Sequence, residues 1–313
     1  MTAGVYAELA DLVALRHVAS GFSFLPRQPL ASLLAGRHAS RLRGRGLNFE
    51  ELRGYRPGDD PRHMDWKATA RLRKPQVRVY TEERDRPVLL VVDQRRTMFF
   101  GSRRKMKSVV AAEAAALAAW RVLAQGDRVG ALVFNETRTS FVRPERSARA
   151  VSHLLGELVA FNHELHVEDS SPAVPGRLSA TLDQAARIAT HDYLVCLVTD
   201  FAGGDEVSAR TLMRIAAHND LFVVGVSDPI GRELPRAGRL VFSDGAGQLV
   251  VDSSERDVRQ RFRARFDELE GDWRALLRRL DVPLLHLTPE TDVVDQVRAQ
   301  LGAERDRGRR AGS

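Results

Sequence analysis

Cysteine is almost missing from this sequence. The 313 residues include one cysteine, which excludes an internal disulfide framework and favours a reducing compartment. That residue, Cys196, lies in the apolar run at residues 193–198. We therefore interpret it as a small core residue and not as a reactive thiol.

Long apolar runs are missing as well. No stretch approaches the roughly 18 to 20 residues that a membrane-spanning helix needs. The longest candidate, residues 109–120, is rich in alanine and contains Glu113. Glu8 and Asp11 precede every basic residue, which is not the pattern of a signal peptide. We therefore expect a cytoplasmic protein.

Aromatic residues make up only 6% of the chain, whereas 48 basic residues exceed 41 acidic ones and give a formal net charge of +7. Basic clusters lie at residues 37–45, 103–107 and 305–310 and could contact nucleic acid electrostatically. No aromatic residue is interleaved in these clusters for base stacking. A basic nucleic-acid-binding module is therefore a disfavoured alternative, and acidic protein partners fit the clusters better.

Strand and helix patterns alternate from residue 87 to residue 301. Runs such as 88–92 and 193–198 are rich in leucine and β-branched residues, as in strands buried on both faces. The alternation predicts a doubly wound α/β fold, with a mostly parallel sheet and helices on both faces. We also expect an antiparallel hairpin at residues 239–252, at the edge of that sheet.

The domain organisation follows from a change in composition near residue 86. Residues 1–86 form a smaller segment, dense in arginine and aspartate, that is expected to pack on the main domain. Residues 87–302 form the α/β domain, and residues 303–313 form a basic tail.

Two aspartates follow strands of the α/β region. Asp93 ends the first strand pattern and Asp200 follows the third, and ligands of open α/β sheets bind at this carboxyl edge. With the hydroxyl of Thr97 they could hold Mg²⁺ through oxygen atoms. From spacing alone, however, capping of a helix N-terminus is the favoured interpretation of each aspartate. Lys105 and Lys107, near the start of the next helix, are not expected to pair with a particular carboxylate.

A long motif precedes the α/β region. Residues 44–71 read GRGLNFEELRGYRPGDDPRHMDWKATAR, and later strings read EERDRP, GDRVG and TDF. Together these resemble the signature of the bacterial family catalogued as domain of unknown function 58 (DUF58), over nearly the whole chain. The resemblance implies a von Willebrand factor A-like domain behind an N-terminal segment. It also implies a partner, because members are often found beside MoxR-type AAA+ ATPases and are thought to act with them as adaptors in protein maturation or complex assembly.

The resemblance further implies a metal-ion-dependent adhesion site, built from an Asp-x-Ser-x-Ser loop, a later threonine and a later aspartate. Asp93 matches the first aspartate, Thr97 stands at the second serine position, and Asp200 matches the distal aspartate.

The chain departs from that site at two positions. Arg95 occupies the first serine position, where its guanidinium could pair with Asp93 or Asp200 and neutralise the site without metal. Only Ser179 or Thr181 could serve as the later threonine. We therefore predict a degenerate site with Arg95 as the cation that replaces the metal. No cofactor is identified with certainty, and Mg²⁺ is the one candidate.

Charged and aromatic side chains concentrate between residues 53 and 71. An ion-pair network that fixes this segment onto the α/β domain is the simpler interpretation. The alternative is a recognition surface for the ATPase or its protein client, with aromatic anchors. The residues concerned are Arg53, Tyr55, Asp59, Asp60, Arg62, Asp65, Trp66 and Arg71.

The function that we predict is a non-catalytic adaptor that docks a protein client and a MoxR-type ATPase. The chain has no glycine-rich phosphate-binding motif. The alternative from another class is a Mg²⁺-dependent hydrolase acting at Asp93 and Asp200, but no general base or nucleophile accompanies these carboxylates.

Overall fold

The computed structural model describes residues 4–19, 47–55, 62, 64–82, 86–167, 174–243 and 247–310. Its elements, numbered in chain order, are α1 (Leu9–Ala14), β1 (Leu47–Gly54), α2 (Trp66–Leu72), β2 (Gln76–Glu82), β3 (Val88–Asp93), α3 (Lys107–Ala124), β4 (Val129–Phe134), β5 (Thr139–Glu145), α4 (Ala148–His163), α5 (Arg177–Ile188), β6 (Leu194–Thr199), α6 (Glu206–His218), β7 (Asp220–Val226), α7 (Pro229–Arg232), β8 (Arg239–Ser243), β9 (Gln248–Asp252), α8 (Arg256–Arg279), β10 (Leu284–Leu287) and α9 (Val293–Arg310).

The chain divides into two compact units, residues 1–26 with 86–313 and residues 27–85. In the smaller unit, β1 and β2 pair in antiparallel orientation, with a bulge between Phe49 and Glu51. Helix α2 begins after Asp65, whose carboxylate accepts a hydrogen bond from Ala68 N at 2.9 Å and caps the helix. It ends at Arg73, which has a left-handed backbone conformation (φ 53°).

The larger unit contains a six-stranded sheet in the order β10-β7-β6-β3-β4-β5. Its strands run parallel except β5, which pairs in antiparallel orientation with β4. Numbered along the chain, these six strands read 3-2-1-4-5-6 from the β5 edge, a doubly wound order that reverses between β3 and β6. The predicted α/β fold with a mostly parallel sheet is confirmed.

Both faces of this sheet are covered, because alternate residues of each strand point to opposite sides. Leu90 and Val92 of β3 belong to a core cluster with α3, α4 and α9. Leu89 and Val91 belong to a second cluster with α5, α6 and α8. The near-continuous apolar runs of the sequence follow directly from this burial on two sides.

Residues 4–19 belong to the first of these clusters. Ala7 and Leu12 are buried in it beside α3 and α4. The indole Nε1 of Trp120 donates a hydrogen bond to Leu12 O at 3.0 Å, and the Tyr6 hydroxyl donates to Leu165 O at 2.9 Å. The beginning of the chain is therefore built into the larger unit.

The edges of the sheet differ from expectation. The hairpin predicted at residues 239–252 forms as β8 and β9, but it is a separate two-stranded sheet. The antiparallel edge strand is instead β5, a segment with no predicted strand, whose inward and outward residues alternate and which contains Pro144. Proline suits an edge strand, since it has no N–H to donate to a further neighbour.

The last helix also runs on through most of the segment assigned to a basic tail, because α9 continues to Arg310. None of the helices in the described ranges combines the length and the apolar character required to cross a bilayer.

Cys196 lies in β6 and is only 5% exposed, as the sequence predicted, and its burial raises the pKa of the thiol to about 12. Because the thiolate is the reactive form, Ellman's reagent should not react with the native protein and should release one equivalent of thiol in denaturant. The Cys196→Ala variant should release none under either condition. Rapid stoichiometric reaction of the native protein would contradict the core assignment.

Candidate functional site

Asp93 and Asp200 meet where the strand order of the sheet reverses. Strand β3 ends at Asp93, and its parallel neighbour β6 ends at Thr199, so Asp200 follows directly. Ligands of open α/β folds bind in the crevice that opens at such a point. The two aspartates therefore mark the candidate site.

The carboxylate of Asp93 is fully buried and surrounded by donors. Arg95 donates to it three times, from its backbone N to Oδ1 at 3.0 Å, from Nε to Oδ1 at 3.0 Å and from Nη2 to Oδ2 at 2.6 Å. The Thr199 hydroxyl donates to Oδ2 at 2.7 Å. The guanidinium contact is bidentate, which is the strongest geometry for such a pair.

Arg95 is itself only 6% exposed. Its Nη2 also donates to Ala202 O at 2.9 Å and lies 3.9 Å from Asp200 Oδ1, while the guanidinium carbon is 5.6 Å from the Phe134 ring centre. Burial alone would lower the pKa of Arg95, but the charge and hydrogen bonds of Asp93 raise this pKa above its ordinary value. The guanidinium is therefore charged at every relevant pH.

Asp200 has a cation of its own. Lys107 Nζ donates to Asp200 Oδ2 at 2.7 Å, Ala202 N donates to Oδ1 at 2.9 Å, and the Thr97 hydroxyl lies 3.5 Å from the same oxygen. Burial would raise the pKa of Asp200, yet Lys107 and Arg95 hold that pKa below its ordinary value. We call Asp93, Arg95, Asp200 and Lys107 the four-charge cluster, whose charges sum to zero.

Ser179 and Thr181, the candidates for the later threonine, use their hydroxyls elsewhere. Ser179 Oγ donates to Gly176 O at 3.0 Å and lies 3.4 Å from Asp205 Oδ2. Thr181 Oγ1 donates to Arg177 O at 3.0 Å, inside α5. The structure thus brings Asp93, Arg95, Thr97 and Asp200 together and leaves these two hydroxyls out of the group.

Two expectations about this edge are wrong. Asp93 and Asp200 do not cap helices, since the N-cap residues of α3 and α6 are Met106 and Asp205. Lys107, which was not expected to pair with a particular carboxylate, contacts Asp200. No linear spacing connects residues 107 and 200, because their contact depends on the parallel pairing of β3 with β6.

Sequence reasoning also missed two side chains at this edge, Thr199 and Glu136. The carboxylate of Glu136, in the loop after β4, accepts a hydrogen bond from Arg96 N at 2.8 Å, and burial raises the pKa of Glu136. The string TDF at residues 199–201 was the available signal for Thr199. No comparable signal marked Glu136.

The smaller unit contains the signature residues between 53 and 71. Asp65 is buried as the cap of α2, and Arg53 Nη1 donates to Gly54 O at 3.3 Å. Asp59 and Asp60 lie outside the described residues, so their predicted ion pairs stay a prediction. The exposed members of the set are Tyr55, Arg62, Trp66 and Arg71.

The residues at the switch point do not fit a divalent cation. Both carboxylate oxygens of Asp93 already accept hydrogen bonds from Arg95, and a second positive charge beside that guanidinium would be repelled. In the parts of the chain that the structure describes, no group of three or more His, Cys, Asp or Glu side chains could hold a metal ion. Arg95 places a positive charge 2.6 Å from Asp93 Oδ2.

Removing that guanidinium should destabilise the protein. Arg95→Ala leaves Asp93 buried without its main partner, so the free energy of unfolding should fall by about 3–5 kcal/mol, measured by urea denaturation. The matched control is Arg210→Ala, which removes an exposed ion pair with Glu206 in α6 and should change this free energy by less than about 1 kcal/mol. Equal effects of the two variants would contradict a buried ion pair.

Replacing the guanidinium by a hydroxyl should change metal binding. We expect isothermal titration with Mg²⁺ to give no binding heat for the native protein. Arg95→Ser should gain binding, because it restores an oxygen donor and frees the Asp93 carboxylate. Arg210→Ser serves as the control and should gain nothing. Mg²⁺ binding by the native protein would show that Arg95 does not replace the metal.

Comparison with known sequences identifies a family for this chain. A family model described as "Protein of unknown function DUF58" matches residues 51–271. Uncharacterized proteins of Mycobacterium tuberculosis and Mycobacterium bovis are each 31% identical over 287 residues, which cover 91% of this chain and 88% of the relative.

A solved structure was also matched, that of the conserved hypothetical protein BatB from Bacteroides thetaiotaomicron. The match covers 72% of this chain and 98% of that chain at 13% identity, with a TM-score of 0.38, a value too low to support an argument about fold. The family match spans well over half of the sequence, and the chain belongs to the DUF58 family.

Proposed function

We propose that this chain is a non-catalytic, cytoplasmic adaptor that docks a protein partner at the carboxyl edge of its six-stranded sheet. The observation that carries the proposal is the four-charge cluster at the switch point. Its carboxylates are both engaged by cations and backbone donors. The cluster is therefore a buried, fixed support for the edge, and we expect it to take no part in catalysis.

The sheet order supports a von Willebrand factor A-like domain. A doubly wound sheet with its switch point between β3 and β6, and with one antiparallel strand at its β5 edge, suits the fold that the signature implies. In such a domain Asp93, Thr97 and Asp200 stand at the positions of an adhesion-type site, with Arg95 in place of the ion.

The partner that we propose is a MoxR-type AAA+ ATPase, acting with this adaptor on a protein client. The resemblance to the DUF58 signature supports this choice, because that resemblance implies a partner of this kind. The charges at the proposed docking edge are already balanced, so we expect shape and hydrogen bonding to contribute more to recognition than net charge does.

The Mg²⁺-dependent hydrolase is the weaker alternative. A general base must reach a proton on the substrate, but Asp93 is fully buried and hydrogen-bonded to Arg95 and Thr199. Asp200 has its pKa lowered by Lys107 and Arg95, which weakens it as a base near neutral pH. Asp93 and Asp200 are therefore poorly suited to act as the base of a hydrolase.

A pull-down from native extract tests the adaptor. The tagged full chain should recover a MoxR-type ATPase in the presence of a non-hydrolysable ATP analogue. Thr97 is exposed at the carboxyl edge, so Thr97→Arg should abolish recovery by placing a bulky cation on the docking surface.

The matched control for this experiment is Gln125→Arg. Gln125 is exposed at the end of α3, and because α3 runs back along the sheet, this residue lies at the opposite edge. The control variant should recover the ATPase as well as the native chain does. Failure of the native chain to recover any ATPase would overturn the choice of partner, and equal recovery by both variants would overturn the choice of edge.

A further inference from the structure

We propose that the outward face of α2 is a second docking surface, which binds an acidic segment of a partner protein around Trp66. This surface belongs to the smaller unit, residues 27–85, and is independent of the sheet edge. Its members are Trp66, Lys67, Ala70 and Arg71, and we call them the α2 outer face.

The helical period places these four residues on one arc. At 100° per residue, Trp66 and Ala70 lie side by side, and Lys67 and Arg71 follow at i and i+4. All four are exposed, Trp66 by 69%. On the other side Ala68 and Thr69 are half-buried, and Leu72 is 57% exposed. The face therefore presents one large aromatic ring beside two cations.

Hydrogen bonds to the start of β2 anchor helix α2. Asp65 caps its N-terminus, Asp65 N donates to Gln76 O at 2.8 Å, and Gln76 N donates to Thr69 Oγ1 at 2.9 Å. These bonds attach both the first and the second turn to the start of β2. A rigid support of this kind lowers the entropy that is lost when a partner binds.

The stability of α2 does not explain Trp66 and Lys67, although Arg71 in the last turn suits the helix dipole. Lys67 lies in the first turn, where the helix dipole disfavours a cation. Like charges at i and i+4, as in Lys67 and Arg71, repel each other. The exposed indole of Trp66 buries little surface in the fold. Tryptophan and arginine are among the residues that contribute most to protein interfaces, and binding accounts for all three features.

The charge of the segment defines the partner. Residues 66–75 contain no acidic residue, and Arg73 and Lys74 add two more exposed cations directly after the helix. An acidic segment complements this charge and can place an apolar side chain against Trp66. A second copy of this chain is disfavoured, because each copy carries a net charge of +7.

Nucleic acid and membrane surfaces fit the α2 outer face less well. Binding of single-stranded nucleic acid uses several aromatic rings on which successive bases stack, and this face has one. Interfacial helices insert a broad apolar face into the bilayer, whereas here the apolar part is Trp66 and Ala70. The observations therefore favour an acidic protein segment.

Selection from a random peptide library, displayed on phage against the immobilised full chain, tests the proposal. Recovered peptides should be acidic and contain an apolar residue, and their affinity should fall as salt is added. Trp66→Ala and the double variant Lys67→Glu/Arg71→Glu should each weaken binding of a selected peptide by about 10-fold or more, measured by fluorescence anisotropy.

The matched control carries the same change of charge on another exposed helix. Arg261 and Arg265 are exposed and spaced i, i+4 in α8, so Arg261→Glu/Arg265→Glu should change affinity by less than about 2-fold if binding is local to α2. Because the changed side chains are exposed, all variants should unfold at the same urea concentration as the native chain.

Three outcomes would overturn the proposal. Selected peptides without acidic residues would contradict the proposal that the partner segment is acidic. If the α2 and α8 double variants lost affinity for the peptide equally, net charge and not the α2 outer face would determine binding. Binding of oligothymidine or of phosphatidylglycerol vesicles that requires Trp66, without any acidic peptide, would assign the face to another class of partner. Each of these results is independent of the pull-down with Thr97→Arg.

Discussion

The ion pair between Arg95 and Asp93 determines what the carboxyl edge of the sheet can be. A carboxylate with no exposed surface is strongly destabilising unless a cation and hydrogen-bond donors replace the lost water. Arg95 provides the cation and three of those bonds, and Thr199 provides another. The buried strand end at the switch point therefore depends on this guanidinium for much of its stability.

The same loop also connects the edge to the beginning of the chain. Gln94 Nε2 donates a hydrogen bond to Ser108 O at 3.0 Å, and Gln94 Oε1 accepts one from Asn162 Nδ2 at 3.0 Å. Asn162 in turn accepts a hydrogen bond from Ala7 N at 2.7 Å. This series of buried hydrogen bonds joins β3, α4 and residues 4–19, which explains why those first residues form one unit with the sheet.

The sequence revealed the parts of this structure that depend on local patterns. Continuous apolar runs identify β3 and β6 because both of their faces are buried, and Asp93 and Asp200 follow from where those runs stop. Strand β5 was not predicted, because an edge strand with one exposed face and a proline has no continuous apolar run. The pairing of Lys107 with Asp200 was not predicted either, because these residues are far apart in sequence and only the order of the strands brings them together.

The two surfaces differ in how they use charge, and this difference decides what each can recognise. In the four-charge cluster every cation already has a carboxylate, so we expect the proposed partner to gain little electrostatic attraction there and to be recognised by shape. On α2, Lys67 and Arg71 are exposed beside Trp66, and long-range attraction can steer an acidic segment toward the ring. Salt screens exposed charges far more than buried pairs. We therefore expect docking at the proposed sheet edge to be insensitive to ionic strength and docking on the proposed α2 outer face to depend on it.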